Sequence, residues 1–117
     1  MDLRPALGRA GEEAAASFYA RNGFTIVERN WRCSAGEIDL ILRRGSLIVF
    51  CEVKTRSRVD RGLPSEAVDW RKRARLRRLA GRWLSERRPH ARDLRFDVIA
   101  VEAGSSGLRM THILDAF

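Results

Sequence analysis

Two carboxylates stand where carboxylates are costly. Asp39 lies between Ile38 and Leu40, and Glu52 between Cys51 and Val53, in runs that otherwise read as buried strand. Asp and Glu are poor strand formers and expensive to bury unpaired, so something must offset that cost. Lys54 follows Glu52 by two residues, which puts Phe50, Glu52 and Lys54 on one face of a strand. A two-residue turn around Arg44-Gly45 would set Asp39 opposite Phe50, on that same face and diagonal to Glu52. The chemistry that uses two carboxylates and a lysine in this way is metal-assisted phosphodiester hydrolysis. Mg²⁺ takes hard oxygen ligands, polarises a phosphate and lowers the pKa of an attacking water. A lysine beside it stabilises the charge of the transition state. The competing explanation is a structural ion pair, but one lysine does not neutralise two carboxylates, and buried pairs stabilise weakly.

The lysine count points the same way. The chain uses Arg 21 times and Lys only at positions 54 and 72. Where charge alone suffices it carries Arg, so a compact ammonium is wanted at these two sites. Lys72 has the helical phase of Leu76, Leu79 and Trp83, so it points towards the sheet from the apolar stripe of a long helix. Arg71, Arg73, Arg77 and Arg78 lie off that stripe.

The elements that would carry these residues are legible in order. A helix spans about 8–21, closed by Gly23. Residues 24–28 read as a strand and residues 32–36 as a polar loop. A hairpin follows, with strands over 37–43 and 46–54, and then a basic loop over 57–64. A long helix runs from a Ser65 N-cap to Arg87 and stops before Pro89. Residues 94–101 form a buried-type strand, 104–107 a turn and 108–114 a last strand. The order is αβββαββ: one α/β domain over residues 1–117, a mixed β-sheet flanked by α-helices.

With 117 residues and 44% apolar content, the chain can build one core. No apolar run approaches the ~20 residues of a membrane span. The start, Met1-Asp2-Leu3-Arg4-Pro5, lacks a signal peptide's apolar stretch, so a cytoplasmic location and no membrane partner are expected. Cys33 and Cys51 are too few for a disulfide framework or a four-thiolate metal site. The net charge is +8, and residues 56–95 hold 14 basic and 5 acidic side chains, so the excess is confined to one stretch. Solvation does not demand one sign; a nucleic-acid partner does.

Gly36-Glu37-Ile38-Asp39-Leu40-Ile41 and Phe50-Cys51-Glu52-Val53-Lys54-Thr55-Arg56 resemble the PD-(D/E)xK nuclease superfamily. More closely, the chain resembles the small bacterial family called YraN or UPF0102, related to archaeal Holliday-junction resolvases. That likeness extends through Gly8-Arg9-Ala10-Gly11-Glu12, Asn30-Trp31-Arg32, Lys72, Arg95–Ile99 and His112–Phe117. It implies a restriction-endonuclease-like fold and a Mg²⁺- or Mn²⁺-dependent endonuclease. It further implies that Asp39 and Glu52 are metal ligands joined by the Val53 carbonyl, that Lys54 is the catalytic lysine, and that Glu12 supports the metal, in part through water. The superfamily's proline before the aspartate is Ile38 here, which leaves the metal chemistry intact.

The expected function is therefore hydrolysis of DNA, selective for branched or repair-intermediate structures, with RNA not excluded. A two-fold junction would require a homodimer, which the sequence does not itself show. Arg32, Arg56, Arg58 and Arg61, in loops beside the hairpin ends, are candidates to hold phosphates, with Lys72, Arg73 and Arg77 on the long helix. Trp31 and Trp70 could stack bases, while Trp83 belongs to the core. Asp97 reads as a satisfied core carboxylate or a support for the site rather than a metal ligand. Glu37 reads as a strand-end surface residue, and Glu12 competes with the simpler role of an acid at a helix start. The rivals are a non-cleaving nucleic-acid binder of the same fold, an RNA-directed nuclease, and a basic scaffold for an acidic partner.

Overall fold

The computed structural model describes residues 2–57 and 70–116, with the Trp70 side chain outside that description. The order is α1 (Arg4–Arg21), β1 (Thr25–Cys33), β2 (Gly36–Arg44), β3 (Leu47–Ser57), α2 (Trp70–Arg87), β4 (Asp93–Gly104) and β5 (Gly107–Ile113). The five strands form one sheet in sequence order, β1-β2-β3-β4-β5. Only the β3–β4 pair is parallel, and α2 lies in the connection between those two strands. This is the mixed α/β arrangement αβββαββ expected of a restriction-endonuclease-like fold.

The two helices cover opposite faces, and this explains the near-continuous apolar strands. Ala15, Ala16 and Tyr19 of α1 pack with Leu40, Leu42, Val49, Cys51 and Val53. Leu76, Leu79, Ala80 and Trp83 of α2 pack with Trp31, Ile38, Ile41, Ile48 and Phe50. The far end of α2 is pinned by Glu28 on β1, whose Oε1 accepts from Trp83 Nε1 at 3.0 Å and from Arg87 Nε at 2.9 Å. Trp31 is therefore a core residue, 8% exposed, and not a base-stacking platform.

Several boundaries differ from the sequence reading, each for a physical reason. Helix α1 begins at Arg4, because Pro5 sits at its first turn, where a missing N–H costs nothing. Strand β1 continues to Cys33, so Arg32 lies on a strand and not in a loop; it pairs with Glu37 across the β1–β2 ladder. Strand β3 continues to Ser57, so Arg56 is a strand residue too, supported by parallel pairing with Glu102. The hairpin turn falls at Gly45-Ser46, with Gly45 at φ 60°. Phe50 thus faces Ile41 and not Asp39. Ser65, Arg58 and Arg61 lie outside the described residues.

Candidate active site

The β2–β3 ladder runs from Arg44↔Leu47 to Leu40↔Cys51. One residue beyond that last pair stand Asp39 on β2 and Glu52 on β3. Residues 38 and 40 of a regular strand would share a face. Here Ile38 packs on the α2 side and Leu40 on the α1 side, so β2 turns over at Asp39. Strand β1 does the same alongside: Arg29 reaches Glu13 of α1 at 2.8 Å, Trp31 packs under α2, and Asn30 between them has φ 51°. The turned-over Asp39 side chain accepts the Val53 N–H through Oδ2 at 2.7 Å. The Val53 N–H thus fixes Asp39, a contact separate from the carbonyl ligand that the resemblance implies.

Asp39 is 7% exposed. Burial pushes its carboxyl pKa up to about 7, the Glu52 charge adds to the rise, the Val53 N–H opposes it, and Glu12 and Glu37 raise it further. Glu52 is half-buried and is also shifted upwards by burial, with Glu37 adding to the rise. Lys72, Arg75 and Lys54 pull the other way on Glu52, Lys72 most strongly. Glu52 thus feels three cations from two elements, while the charges that act on Asp39 are other carboxylates. The direction inferred for Lys72 from helical phase agrees with this: it lies on the stripe of buried Leu76, Leu79 and Trp83.

Glu12 reaches the site because α1 lies close to β3. A Cβ at Gly11 would fall 1.9 Å from Thr55 Oγ1, so only glycine permits that approach. Glu12, the next residue, lines a cavity of about 190 Å³ with Arg9, Glu13, Arg29, Asn30 and Leu40. Among the described residues, no three His, Cys, Asp or Glu side chains are gathered closely enough to hold a metal ion. The structure unites Asp39 with Val53 and surrounds Glu52 with cations; it does not bring Glu12 into a closed ligand set.

Two site residues lay beyond the sequence reading. Arg75 reads as one more arginine of an exposed helix face, yet its charge acts on Glu52, and a Cβ built at Gly36 would lie 3.7 Å from Arg75 Cδ. Glu37 ion-pairs with Arg32 at 2.8 Å on the surface, and its charge still reaches both Asp39 and Glu52. The Arg75 signal was available in helical spacing, three residues after Lys72. Arg73 and Arg77 are exposed on α2.

Asp97 belongs to a different constellation. It is fully buried on β4, and its Oδ2 accepts from Tyr19 OH at 2.8 Å and from Arg95 Nη2 at 2.9 Å. His112 Nε2 lies 2.8 Å from the same oxygen, while Oδ1 accepts from Arg95 Nε and the Asp115 N–H. Burial pushes its pKa up, but these hydrogen bonds outweigh that and hold it below the usual carboxylate value. It is the satisfied core carboxylate of the sequence reading.

A mixed sheet between two helices, with an Asp and a Glu-x-Lys side by side on adjacent strands, defines a protein with the restriction-endonuclease-like arrangement. The chain belongs to the family described as "Uncharacterised protein family UPF0102", the YraN family, whose profile matches residues 11–101. It is 53% identical to a UPF0102 protein of Frankia casuarinae, with all of both chains covered. It is 49% identical to one of Beutenbergia cavernae, over 97% of each chain. It is 37% identical to one of Dictyoglomus thermophilum, over 95% of this chain and 96% of the other. No helix among the described residues is long and apolar enough to cross a membrane.

Proposed function

We propose that this protein is a metal-dependent endonuclease that hydrolyses phosphodiester bonds of DNA, selective for branched or repair-intermediate structures. The observation that carries the reading is the Asp39–Glu52 pair, two buried or half-buried acids beside each other with raised pKa values. A divalent cation relieves such a pair, and two carboxylates are the hard oxygen donors that Mg²⁺ or Mn²⁺ accepts. Asp39 and Glu52 would hold it, with the Val53 carbonyl, and Glu12 would support it through water. When bound, the ion would polarise the phosphate and generate the attacking hydroxide from water.

The chain's own residues do the rest. The Val53 N–H fixes the Asp39 carboxylate, so its second oxygen is held in place for ligation. Lys54 supplies a compact positive charge next to Glu52, where negative charge develops on the phosphate. The Lys72 charge, from α2, opposes the rise that burial imposes on the Glu52 pKa. Arg32, Arg56, Arg73 and Arg77, with Arg58 and Arg61, grip backbone phosphates without reading sequence. Two-fold junctions would be met by a homodimer.

The test is cleavage of labelled duplex, single-stranded, flap and four-way-junction DNA, and of structured RNA, with Mg²⁺ or Mn²⁺. Cleavage of flap or junction DNA above the others is expected. Preference for RNA would make the protein an RNA-directed nuclease. Salt-sensitive binding with no cleavage would make it a non-cleaving binder of the same fold.

A further inference from the structure

Asn30 and Asp39 stand opposite each other in the β1–β2 ladder, between the pairs Arg29↔Leu40 and Trp31↔Ile38. Both strands turn over at this one position. Arg29 and Leu40 lie on the α1 side, while Trp31 and Ile38 lie under α2. If β2 alone turned over, Trp31 and Ile38 would fall on opposite faces of the sheet and their shared core would be lost. A side chain at such a turn-over points along the sheet instead of above or below it. That is how the Asp39 carboxylate on β2 reaches the Val53 N–H on β3.

The turn-over of β1 rests on one backbone conformation. Among the described residues three non-glycine residues have positive φ: Asn30 at 51°, Arg88 at 45° and Asp115 at 50°. Arg88 directly follows α2, where a left-handed residue is an ordinary helix stop, and Asp115 lies beyond β5. Asn30 alone of the three lies inside a strand. Steric contacts disfavour this conformation for most side chains, and Asn is among the few that enter it readily. The Asn30 side chain is exposed, so no packing calls for an asparagine there. Backbone outliers held by the surrounding structure gather at functional sites.

We propose that Asn30 is a positioning residue of the candidate active site: its left-handed backbone turns β1 over in step with β2, and so aims the Asp39 carboxylate at the Val53 N–H, beside Glu52. Asn30 itself touches neither substrate nor metal. This role rests on the nuclease reading above for what Asp39 does, but the geometry itself needs neither metal nor DNA.

Two substitutions separate the backbone from the side chain. Asn30→Gly keeps access to positive φ and removes the carboxamide. Asn30→Val favours a regular strand and disfavours positive φ. Should the valine variant not fold, Asn30→Ala carries the same comparison. The readout is hydrogen exchange of the Val53 amide in the full-length, metal-free protein. It is taken relative to the other amides of the β3–β4 ladder, which report any global loss of stability. Wild type and Asn30→Gly should protect Val53 alike. Asn30→Val should exchange there about tenfold or more faster, and Asp39→Ala should match it. Asn30→Ala should move the same way by less. Equal Val53 protection in wild type, Asn30→Val and Asn30→Ala would overturn the proposal. Equal loss in Asn30→Gly and Asn30→Val would also overturn it, since the carboxamide and not the backbone would then be at work. Calorimetric titration with Mn²⁺ is the second readout: Asn30→Gly should bind as the wild type does and Asn30→Val about tenfold or more weakly. Undiminished Mn²⁺ binding by Asn30→Val would contradict the positioning role. A wild type that binds no Mn²⁺ would remove the metal reading and leave the exchange result to decide what holds Asp39.

Discussion

The Asp39 carboxylate accepts the Val53 backbone N–H at 2.7 Å, one residue beyond the point where the β2–β3 ladder ends. A side chain here takes a bond that a carbonyl of the neighbouring strand would otherwise make. The arrangement locks Asp39 beside Glu52 and removes most of its water. It explains how a chain tolerates an aspartate at 7% exposure; burial, and after it the Glu52 charge, push the carboxyl pKa up to about 7 against the pull of this bond.

That proton has a consequence for stability. A carboxyl whose pKa is raised on folding stabilises the fold fully below its unfolded value, near 4, and loses that as pH rises through about 7. In metal-free buffer the protein should be less stable at pH 8 than at pH 5, by about 2–3 kcal/mol. Asp39→Asn keeps an acceptor for the Val53 N–H and should flatten the difference. Denaturant unfolding at both pH values checks this. Mn²⁺ at pH 8 should raise the melting temperature of the wild type but not of Asp39→Asn.

The approach of α1 to β3 makes a sharper stability prediction. Gly11→Ala drives a Cβ against Thr55 and should cost about 1–3 kcal/mol despite alanine's better helix propensity. Gly8→Ala, with open space around it, should gain about 0.5–1 kcal/mol. Urea midpoints of the two variants should move in opposite directions.

The Asp97 network should govern acid sensitivity. Its pKa is lowered on folding, so its contribution is present above the unfolded value and lost as pH falls through the folded one. Asp97→Asn should destabilise the protein at pH 7 by about 2–4 kcal/mol, since it leaves Arg95 without its buried partner. The same variant should show a smaller loss of stability between pH 4 and 2 than the wild type, measured by thermal unfolding.

The arginines of α2 should act on affinity and not on chemistry. Each phosphate contact contributes about 0.9 to the slope of log affinity against log salt. Arg73→Ala and Arg77→Ala should each weaken DNA binding uniformly across sequences and lower that slope by about 1. Fluorescence anisotropy over a salt series reads both effects.

Much of this was written in the sequence by periodicity and punctuation. The β3 alternation placed Glu52 and Lys54 on one face, and the Lys72–Leu76–Leu79–Trp83 spacing aimed Lys72 at the sheet. The hairpin turn and strand ends were misplaced by one to several residues, because Gly45-Ser46 and Arg44-Gly45 are both acceptable turn pairs. What could not be read was the break in alternation at Asp39. Period-2 reasoning assumes a regular strand, and the flip depends on Asn30 of the neighbouring strand and on a bond to Val53 across the hairpin. Arg75 and Glu37 were hidden for a related reason. Each is exposed and unremarkable on its own element, and acquires a role only through what the sheet brings near it.

The central claim is that Asp39, Glu52 and Lys54 form one hydrolytic site. The most direct measurement is single-turnover cleavage of flap or four-way-junction DNA with Mn²⁺ by the wild type, Glu52→Ala and Lys54→Ala, with DNA affinity measured in parallel. The account predicts cleavage by the wild type, and its loss in both variants while binding and folding persist. Cleavage undiminished in either variant, or absent from the wild type while the DNA stays bound, would contradict it.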